Sequence, residues 1–287
     1  MREIRVFAPA KLNLYLDVIE KRPDGFHNIE TIFEKIDLKD EIIIKEKGSS
    51  LKVRATPHVC GHGNSNLVYK AASALSKESG VRLNLDIEIK KRIPVSAGLG
   101  GGSSDAASAL KAINEMFKLS LPEKKLFSIA LDIGKDVPFF MLEEPCAIAK
   151  GTGELLEKVN LAKDLFHILI KPPISLSTRM MYERIDRRRN VRRPRSLKGA
   201  LKALKDMDVK ALERNYYNIF ESVLARSSVY ISAAKSLLAD KGAGRSLLSG
   251  SGPTVFCTFD NREDAEAVFR RLPKNTNPVV FLAKTCK

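Results

Sequence analysis

The feature that most constrains this chain is a run of glycines set between a strand pattern and a helix pattern. Residues 81–89 read V-R-L-N-L-D-I-E-I, a strict apolar alternation that predicts a strand. Pro94-Val95-Ser96-Ala97-Gly98-Leu99-Gly100-Gly101-Gly102-Ser103-Ser104 follows, with four glycines in the five residues 98–102. Each glycine loses more backbone freedom on folding than any other residue, so such density needs a return. One return is close approach of backbone N–H groups to a ligand. A helix is predicted from Ser103 or Ser104, either of which can cap it, to about Lys118. The first N–H groups of a helix are unpartnered and sit at the positive end of its dipole, which suits a phosphate. The stretch lacks the Gly-Lys-Ser/Thr ending of a Walker loop, and Ser103 stands at the third glycine position of a GxGxxG pattern. A tight structural turn is the plainer alternative.

A second glycine motif, Leu248-Ser249-Gly250-Ser251-Gly252-Pro253-Thr254, lies between apolar segments. Residues 246–259 are therefore expected to form strand, turn and strand, either as a simple hairpin or as part of a ligand site. Two glycine loops in two domains would make walls of one shared cleft. Strands are also expected at 2–7, 11–19, 29–36, 41–45, 51–55, 166–170 and 279–283, with a strand pair over 146–158 around KGTGE. Helices are expected at 66–79, ended by Gly80, from 121 onward with Pro122 at an early helical position, at 177–187, through 196–240, and at 261–272 capped by Asn261. The class is α/β in the α+β sense. Two domains are expected, 1–158 and 159–287, with sheets covered by helices on one face.

Composition narrows the function. Hydrophobic residues make up 44% and charged residues 29%, so a disordered or collagen-like chain is excluded. No apolar run approaches the roughly 18 residues of a membrane helix. The opening MREIRVFAPAKLN has no apolar signal core, so a cytoplasmic protein with no membrane attachment is expected. The net charge of +15 suggests an anionic partner. Residues 179–205 carry eleven Lys or Arg against two acids. That segment, densest at 187–195, is either a nucleic-acid-binding patch or a solvated face. Aromatic residues are sparse within it, so nucleic acid is not the expected partner. None of the four cysteines forms a CxxC pair, and His58-Cys60-His62 is better read as a turn than as a zinc site.

Three motifs, taken in order, resemble one superfamily. Pro9-Ala10-Lys11-Leu12-Asn13-Leu14, then GLGGGSSDAA at 98–107, then SGSGPTVF at 249–256, resemble the galactokinase, homoserine kinase, mevalonate kinase and phosphomevalonate kinase superfamily over nearly the whole chain. Within it, PAKLNLYL, RPDGFH at 22–27, GKDVPFF at 134–140 and KGTGE at 150–154 resemble the 4-diphosphocytidyl-2-C-methyl-D-erythritol kinases. The resemblance implies a two-domain α/β small-molecule kinase with its active site in the interdomain cleft. The first domain would bind ATP and carry catalysis, and the second would lie on the substrate side. It implies ATP with Mg²⁺, and a substrate bearing a cytidine diphosphate whose 2-hydroxyl is phosphorylated, a step of the non-mevalonate route to isoprenoid precursors. Another small-alcohol kinase of the superfamily, of the homoserine or mevalonate type, is the alternative.

The resemblance also assigns roles. Residues Pro94 to Ser104 would hold the ATP phosphates. Asp136 would take the hydroxyl proton, with Lys11 as its cationic partner; alternation puts Lys11, Asn13 and Tyr15 on one strand face. Asn13 would hold the substrate hydroxyl region. Phe26, His27 and Tyr182 would read the cytosine by stacking and edge hydrogen bonds. Phe26 stands where the family more usually has tyrosine, so stacking survives and a hydroxyl contact is lost. Lys135 replaces a small residue and adds a positive charge beside Asp136. The metal ligands are not identified, although Ser103 and Ser104 are available oxygens.

Overall fold

The computed structural model describes residues 2–57, 65–188, 195–224, 228–273 and 277–286. The His58-Cys60-His62 stretch and residues 189–194 of the basic segment lie outside the described residues. The elements run β1 (Glu3–Lys21), β2 (His27–Glu46), β3 (Lys52–Thr56), α1 (Leu67–Ser79), β4 (Leu85–Lys90), α2 (Gly101–Met116), α3 (Glu123–Ile133), α4 (Val137–Met141), β5 (Cys146–Lys150) and β6 (Leu155–Lys158). They continue with β7 (Phe166–Lys171), α5 (Thr178–Arg187), α6 (Leu197–Lys205), α7 (Val209–Asn215), β8 (Tyr217–Asn218), a 3-10 turn (Ile219–Val223), α8 (Ser228–Asp240), β9 (Leu247–Leu248), β10 (Val255–Phe259), α9 (Arg262–Arg270) and β11 (Val279–Lys284). Among the described residues no helix is long and apolar enough to cross a membrane.

The chain forms two compact units, one of Met1–Ala10, Leu38–Val95 and Gly100–Glu143, the other of Lys11–Asp37, Ser96–Leu99 and Glu144–Lys287. In the first, β3 and β4 run parallel, joined through α1 as a βαβ unit, with Val53 opposite Ile87. The end of β2 pairs antiparallel with β4, Ile42 opposite Ile89. Leu85, Ile87 and Ile89 are buried, as the alternation requires. Helices α1, α2, α3 and α4 pack on one another. Their inward faces are rich in alanine, including Ala71, Ala72, Ala106, Ala107 and Ala109, all fully buried. Asn66 starts α1 by accepting the Val68 N–H at 2.8 Å, and Gly80 ends it at φ 69°.

The second unit contains a four-stranded antiparallel sheet ordered β11-β7-β10-β9. Ile168 of β7 faces both Cys257 and Leu282 across the ladder. Helix α9 covers β7, β10 and β11, while α7 and α8 pack on β10. Asn261 caps α9 by accepting the Asp264 N–H at 2.9 Å. In the same unit β5 pairs with β2 and β6, and β8 lies parallel to β1 with Tyr15 opposite Tyr217.

Among the described residues the structure departs from the sequence expectations at several places. Helix α2 begins at Gly101, because the left-handed Gly100 already turns the chain into it, so neither Ser103 nor Ser104 is its cap. The segments 2–7 and 11–19 form one strand, β1, as do 29–36 and 41–45 in β2. Pro9 lies inside β1, and Lys11, two residues on, donates its N–H to Leu99 O of the glycine loop at 2.9 Å. Residues 81–84 stay outside β4, because the β2 and β3 registers begin only at Leu85 and Asp86. Pro122 is the N-cap of α3 rather than a helical residue. The span 196–240 is interrupted by β8, whose two residues pair only through a distant strand.

Candidate active site

The second unit brings the two glycine motifs into contact. Gly98 adopts φ +77°, and a Cβ there would stand 2.2 Å from the carbonyl oxygen of Ser249, so only glycine fits. Ser249 Oγ donates to Gly98 O at 3.0 Å. Asn218 is buried and its amide donates to Leu248 O at 2.7 Å and Gly250 O at 2.8 Å, tying the second motif to β8. Ala97 and Leu99 are buried, so this part of the loop offers backbone rather than side chains. Ser96 is exposed at φ 54°.

In the first unit, Gly100 is the N-cap of α2 at φ 68° and supplies no side-chain cap. The first N–H groups of α2 are therefore left for another acceptor. Ser103 is partly exposed, whereas Ser104 Oγ is buried with no hydrogen-bond partner among the described residues. Behind this turn lies a cluster that sequence reasoning missed. Lys91 Nζ bonds Asp40 Oδ2 at 2.5 Å and Asp105 Oδ2 at 2.7 Å, with all three side chains almost completely buried. Asp40 Oδ1 also accepts the N–H groups of Arg92 at 2.6 Å and Ile93 at 2.9 Å, just ahead of the glycine loop. Burial is the main force raising the Asp105 pKa to about 7; Lys91 opposes it and Asp40 adds to it. Burial lowers the Lys91 pKa, but the two carboxylates outweigh that and raise it. A Cβ on Gly101 would stand 3.2 Å from Lys91 Nζ and 3.0 Å from Ile93 Cγ2, so the cluster and the loop are tightly packed.

Also in the first unit, Asp136 precedes α4 at φ −86°, ψ −13° and makes no side-chain capping bond. The simple helix-cap explanation for this aspartate therefore fails. Val137, Phe139, Phe140 and Met141 beside it are buried. Lys135 is partly exposed.

Back in the second unit, the face predicted for Lys11 and Asn13 is present and buried. Lys11 Nζ donates to Asn13 Oδ1 at 2.6 Å and sits 4.8 Å from the centre of the Phe33 ring. Asn13 Nδ2 donates to Thr31 Oγ1 at 2.8 Å, and Thr31 Oγ1 donates to Tyr15 O at 2.6 Å. This chain fixes the Asn13 amide with its oxygen on the lysine. A Cβ on Gly250 would lie 3.5 Å from Asn13 Oδ1, which places the second glycine motif beside this chain. Thr31 and Phe33 gave no signal in the sequence, being ordinary strand residues.

The expected aromatic set is partly assembled in the same unit. The His27 and Tyr182 rings stack with centroids 4.6 Å apart and 26° between planes. Phe220 meets Tyr182 edge-on at 5.0 Å. Phe26 follows a turn held by Arg22 and Asp24, and its side chain is half exposed. His27 Nε2 lies 2.6 Å from Asp186 Oδ1, and Lys21 Nζ lies 2.7 Å from Asp186 Oδ2. Burial pushes the Asp186 pKa up, but the hydrogen bonds and charges of Lys21 and His27 outweigh it and hold the carboxyl below its usual range. Among the described residues no group of three or more His, Cys, Asp or Glu is placed to hold a metal ion.

Known proteins resemble this chain in sequence and fold. Residues 66–144 match the GHMP kinases N terminal domain, and residues 200–277 match the GHMP kinases C terminal domain. A 4-diphosphocytidyl-2-C-methyl-D-erythritol kinase of Clostridioides difficile is 39% identical over 264 residues, 91% of this chain and 88% of the relative. That of Alkaliphilus metalliredigens is 36% identical, over 95% of this chain and 93% of the relative. A crystal structure of 4-(cytidine 5'-diphospho)-2C-methyl-D-erythritol kinase superposes with a TM-score of 0.79 at 29% identity, covering 98% of both chains. A homoserine kinase from Cytophaga hutchinsonii superposes at 0.71 with 20% identity, over 99% of this chain and 94% of that one, and shares the fold. On identity and coverage together, the chain belongs to the GHMP kinases and, within them, to the 4-diphosphocytidyl-2-C-methyl-D-erythritol kinase family.

Proposed function

We propose that this protein transfers the γ-phosphoryl group of ATP to the 2-hydroxyl of 4-diphosphocytidyl-2-C-methyl-D-erythritol. The observation that carries the reading is the His27–Tyr182 stack, backed by Phe220 and bonded at its edge to Asp186. A kinase for an unlinked small alcohol has no use for an aromatic–histidine device that suits a nucleobase.

Phosphoryl transfer needs alignment and charge neutralisation more than covalent help. The substrate O–H bond breaks and an O–P bond forms at the γ-phosphorus. The bond from that phosphorus to the β–γ bridging oxygen breaks, and ADP leaves. Asp136 takes the hydroxyl proton. Lys11 supplies positive charge to the ionised hydroxyl and the moving phosphoryl group, and Asn13 orients that hydroxyl. The stretch Pro94 to Ser104 holds the nucleotide phosphates through backbone N–H groups, chiefly those that open α2. Mg²⁺ bound with ATP would neutralise phosphate charge, and Ser104 Oγ, buried without a hydrogen-bond partner among the described residues, is the protein oxygen that would hold it. In this reading residues 1–158 carry ATP binding, catalysis and the Asn13, Phe26 and His27 contacts, and residues 159–287 lie on the substrate side and add Tyr182. The buried Cys146 and Cys257 are free thiols, which suits a reducing cytoplasm.

The test is ADP formation from Mg-ATP with the cytidyl substrate, run beside homoserine and mevalonate. Turnover with the cytidyl substrate alone is expected. Turnover with homoserine or mevalonate instead would keep the kinase and remove the base-reading role of His27 and Tyr182.

A further inference from the structure

Asp186 is in an unusual place for a carboxylate. It lies in the last turn of α5, where the helix dipole disfavours negative charge and where Arg184 and Arg187 are the expected company. Its two oxygens are divided between two cations or donors, Lys21 Nζ at 2.7 Å and His27 Nε2 at 2.6 Å. Tyr182 precedes it by four residues, so both project from one helix face. That face therefore holds the His27 imidazole twice, by ring stacking and by an edge hydrogen bond. The His27 side chain is only 8% exposed, whereas those of Asp186 and Lys21 are 23% and 55% exposed, so the imidazole is covered and the carboxylate side is open to water.

An ionised carboxylate can only accept hydrogen bonds. Asp186 is held ionised by its surroundings, so His27 Nε2 must be the nitrogen that carries hydrogen. In the neutral ring the other nitrogen, Nδ1, is then a pure acceptor. Cytosine presents an exocyclic amine where uracil presents a carbonyl oxygen. An acceptor matches the amine and repels the carbonyl.

We infer that Asp186, with Lys21 as its counter-ion, is a specificity-determining positioning residue that locks His27 as the Nε2–H tautomer and thereby selects a cytosine base over a uracil base. The inference rests on the substrate reading proposed above, and it adds a residue and a selectivity that the reading does not contain. Asp186 touches no reacting atom. A site built to pair a polar group rejects the mismatched analogue far more strongly than an apolar site does.

The test uses the full chain with Asp186→Asn and Asp186→Ala. ¹⁵N NMR of the imidazole reads the tautomer without any substrate. Kinetics with the cytidyl substrate and its uridyl analogue read the selectivity. The wild type is expected to show the Nε2–H form and to turn over the cytidyl substrate. Both variants are expected to show mixed tautomers and a KM for the cytidyl substrate raised at least about tenfold. The cytidyl-to-uridyl preference should fall by at least about tenfold, with the KM for Mg-ATP unchanged. An Nδ1–H form in the wild type would overturn the inference. So would variants that lose rate on both bases equally, since a merely structural residue does that. A wild type inactive on the cytidyl substrate would instead sink the substrate reading, and would do so before any variant is compared.

Discussion

Gly98 and Ser249 lie 151 positions apart, yet the Ser249 hydroxyl donates to the Gly98 carbonyl at 3.0 Å, and a side chain on Gly98 would collide with the Ser249 backbone. The two glycine motifs thus form one joint rather than two separate turns. Gly98→Ala must fit a Cβ at 2.2 Å from a backbone oxygen and hold φ +77°. The positive φ alone costs about 1–2 kcal/mol, and the collision adds to it. The variant is expected to lower the denaturation midpoint clearly and to lose kinase activity. Urea unfolding beside an ADP-release assay would show both.

Gly102→Ala separates the phosphate role from the packing role. A Cβ at Gly102 meets nothing nearer than Leu67 Cδ1 at 3.7 Å, and the residue lies in the first turn of α2. Stability is expected to hold or to rise by about 0.5–1 kcal/mol, because alanine gives up less backbone entropy. The KM for ATP is expected to rise severalfold, because the methyl group intrudes where phosphate N–H contacts are proposed. An unchanged KM would move the phosphates away from this turn.

The Lys91 cluster predicts a pH dependence of known sign. Asp105 is pushed by burial, and further by Asp40, to about 7 despite Lys91, well above the ordinary carboxylate value. The folded chain therefore keeps a proton there that the unfolded chain has already lost. This contribution to stability is full below the ordinary carboxylate range and is lost as pH rises through about 7. Asp105→Asn mimics the protonated form and is expected to flatten that slope. Lys91→Met leaves two buried carboxylates uncompensated and is expected to cost about 3–5 kcal/mol. Lys90→Met next door, with a side chain 45% exposed, is expected to change stability by no more than about 0.5 kcal/mol. Urea titrations across the pH range would show all three.

That contrast explains what a sequence can and cannot disclose. Lys90, Lys91 and Arg92 are indistinguishable in the string KKRIP, and only the fold buries the middle one against Asp40 and Asp105. Asn66, expected as a helical residue, is the N-cap of α1, whereas the caps Gly80 and Asn261 were legible because each acts on its own helix end, Gly80 through its left-handed φ and Asn261 on the Asp264 N–H three residues on. The glycine loop was legible for the same reason, since its meaning is carried by the helix that follows it. Asp186, Thr31 and Asn218 were not, because His27, Asn13 and the Leu248–Gly250 backbone reach them from 159, 18 and about 30 positions away. The two-residue strand β8 carries no periodicity of its own and exists only because β1 offers it a ladder.

The Lys11 chain yields the sharpest catalytic prediction. Lys11, Asn13 and Thr31 are buried, and each is bonded to the next. Lys11→Ala and Asp136→Asn are each expected to cut kcat by about 10²–10⁴-fold while ATP binding persists, as for loss of charge stabilisation or of a proton acceptor. Retained turnover in either would refute that residue's role.

Asn218→Ala tests whether the second glycine motif needs its tether. The amide donates to two carbonyls, Leu248 O and Gly250 O, and its own oxygen accepts the Phe220 N–H at 3.0 Å. Alanine leaves all three groups without these bonds, at a cost of about 1–3 kcal/mol for each buried group left unpaired. Gly250 is also the residue beside Asn13 Oδ1, so slack in the motif reaches the Lys11 chain directly. The variant is therefore expected to lose both stability and kcat, while Ser222→Ala, whose hydroxyl bonds Ile219 O three residues away, is expected to lose neither by more than a small factor. Equal effects from the two substitutions would mean that the tether acts on the 3-10 turn alone and not on the glycine motif. Calorimetric midpoints measured beside initial rates would separate these outcomes.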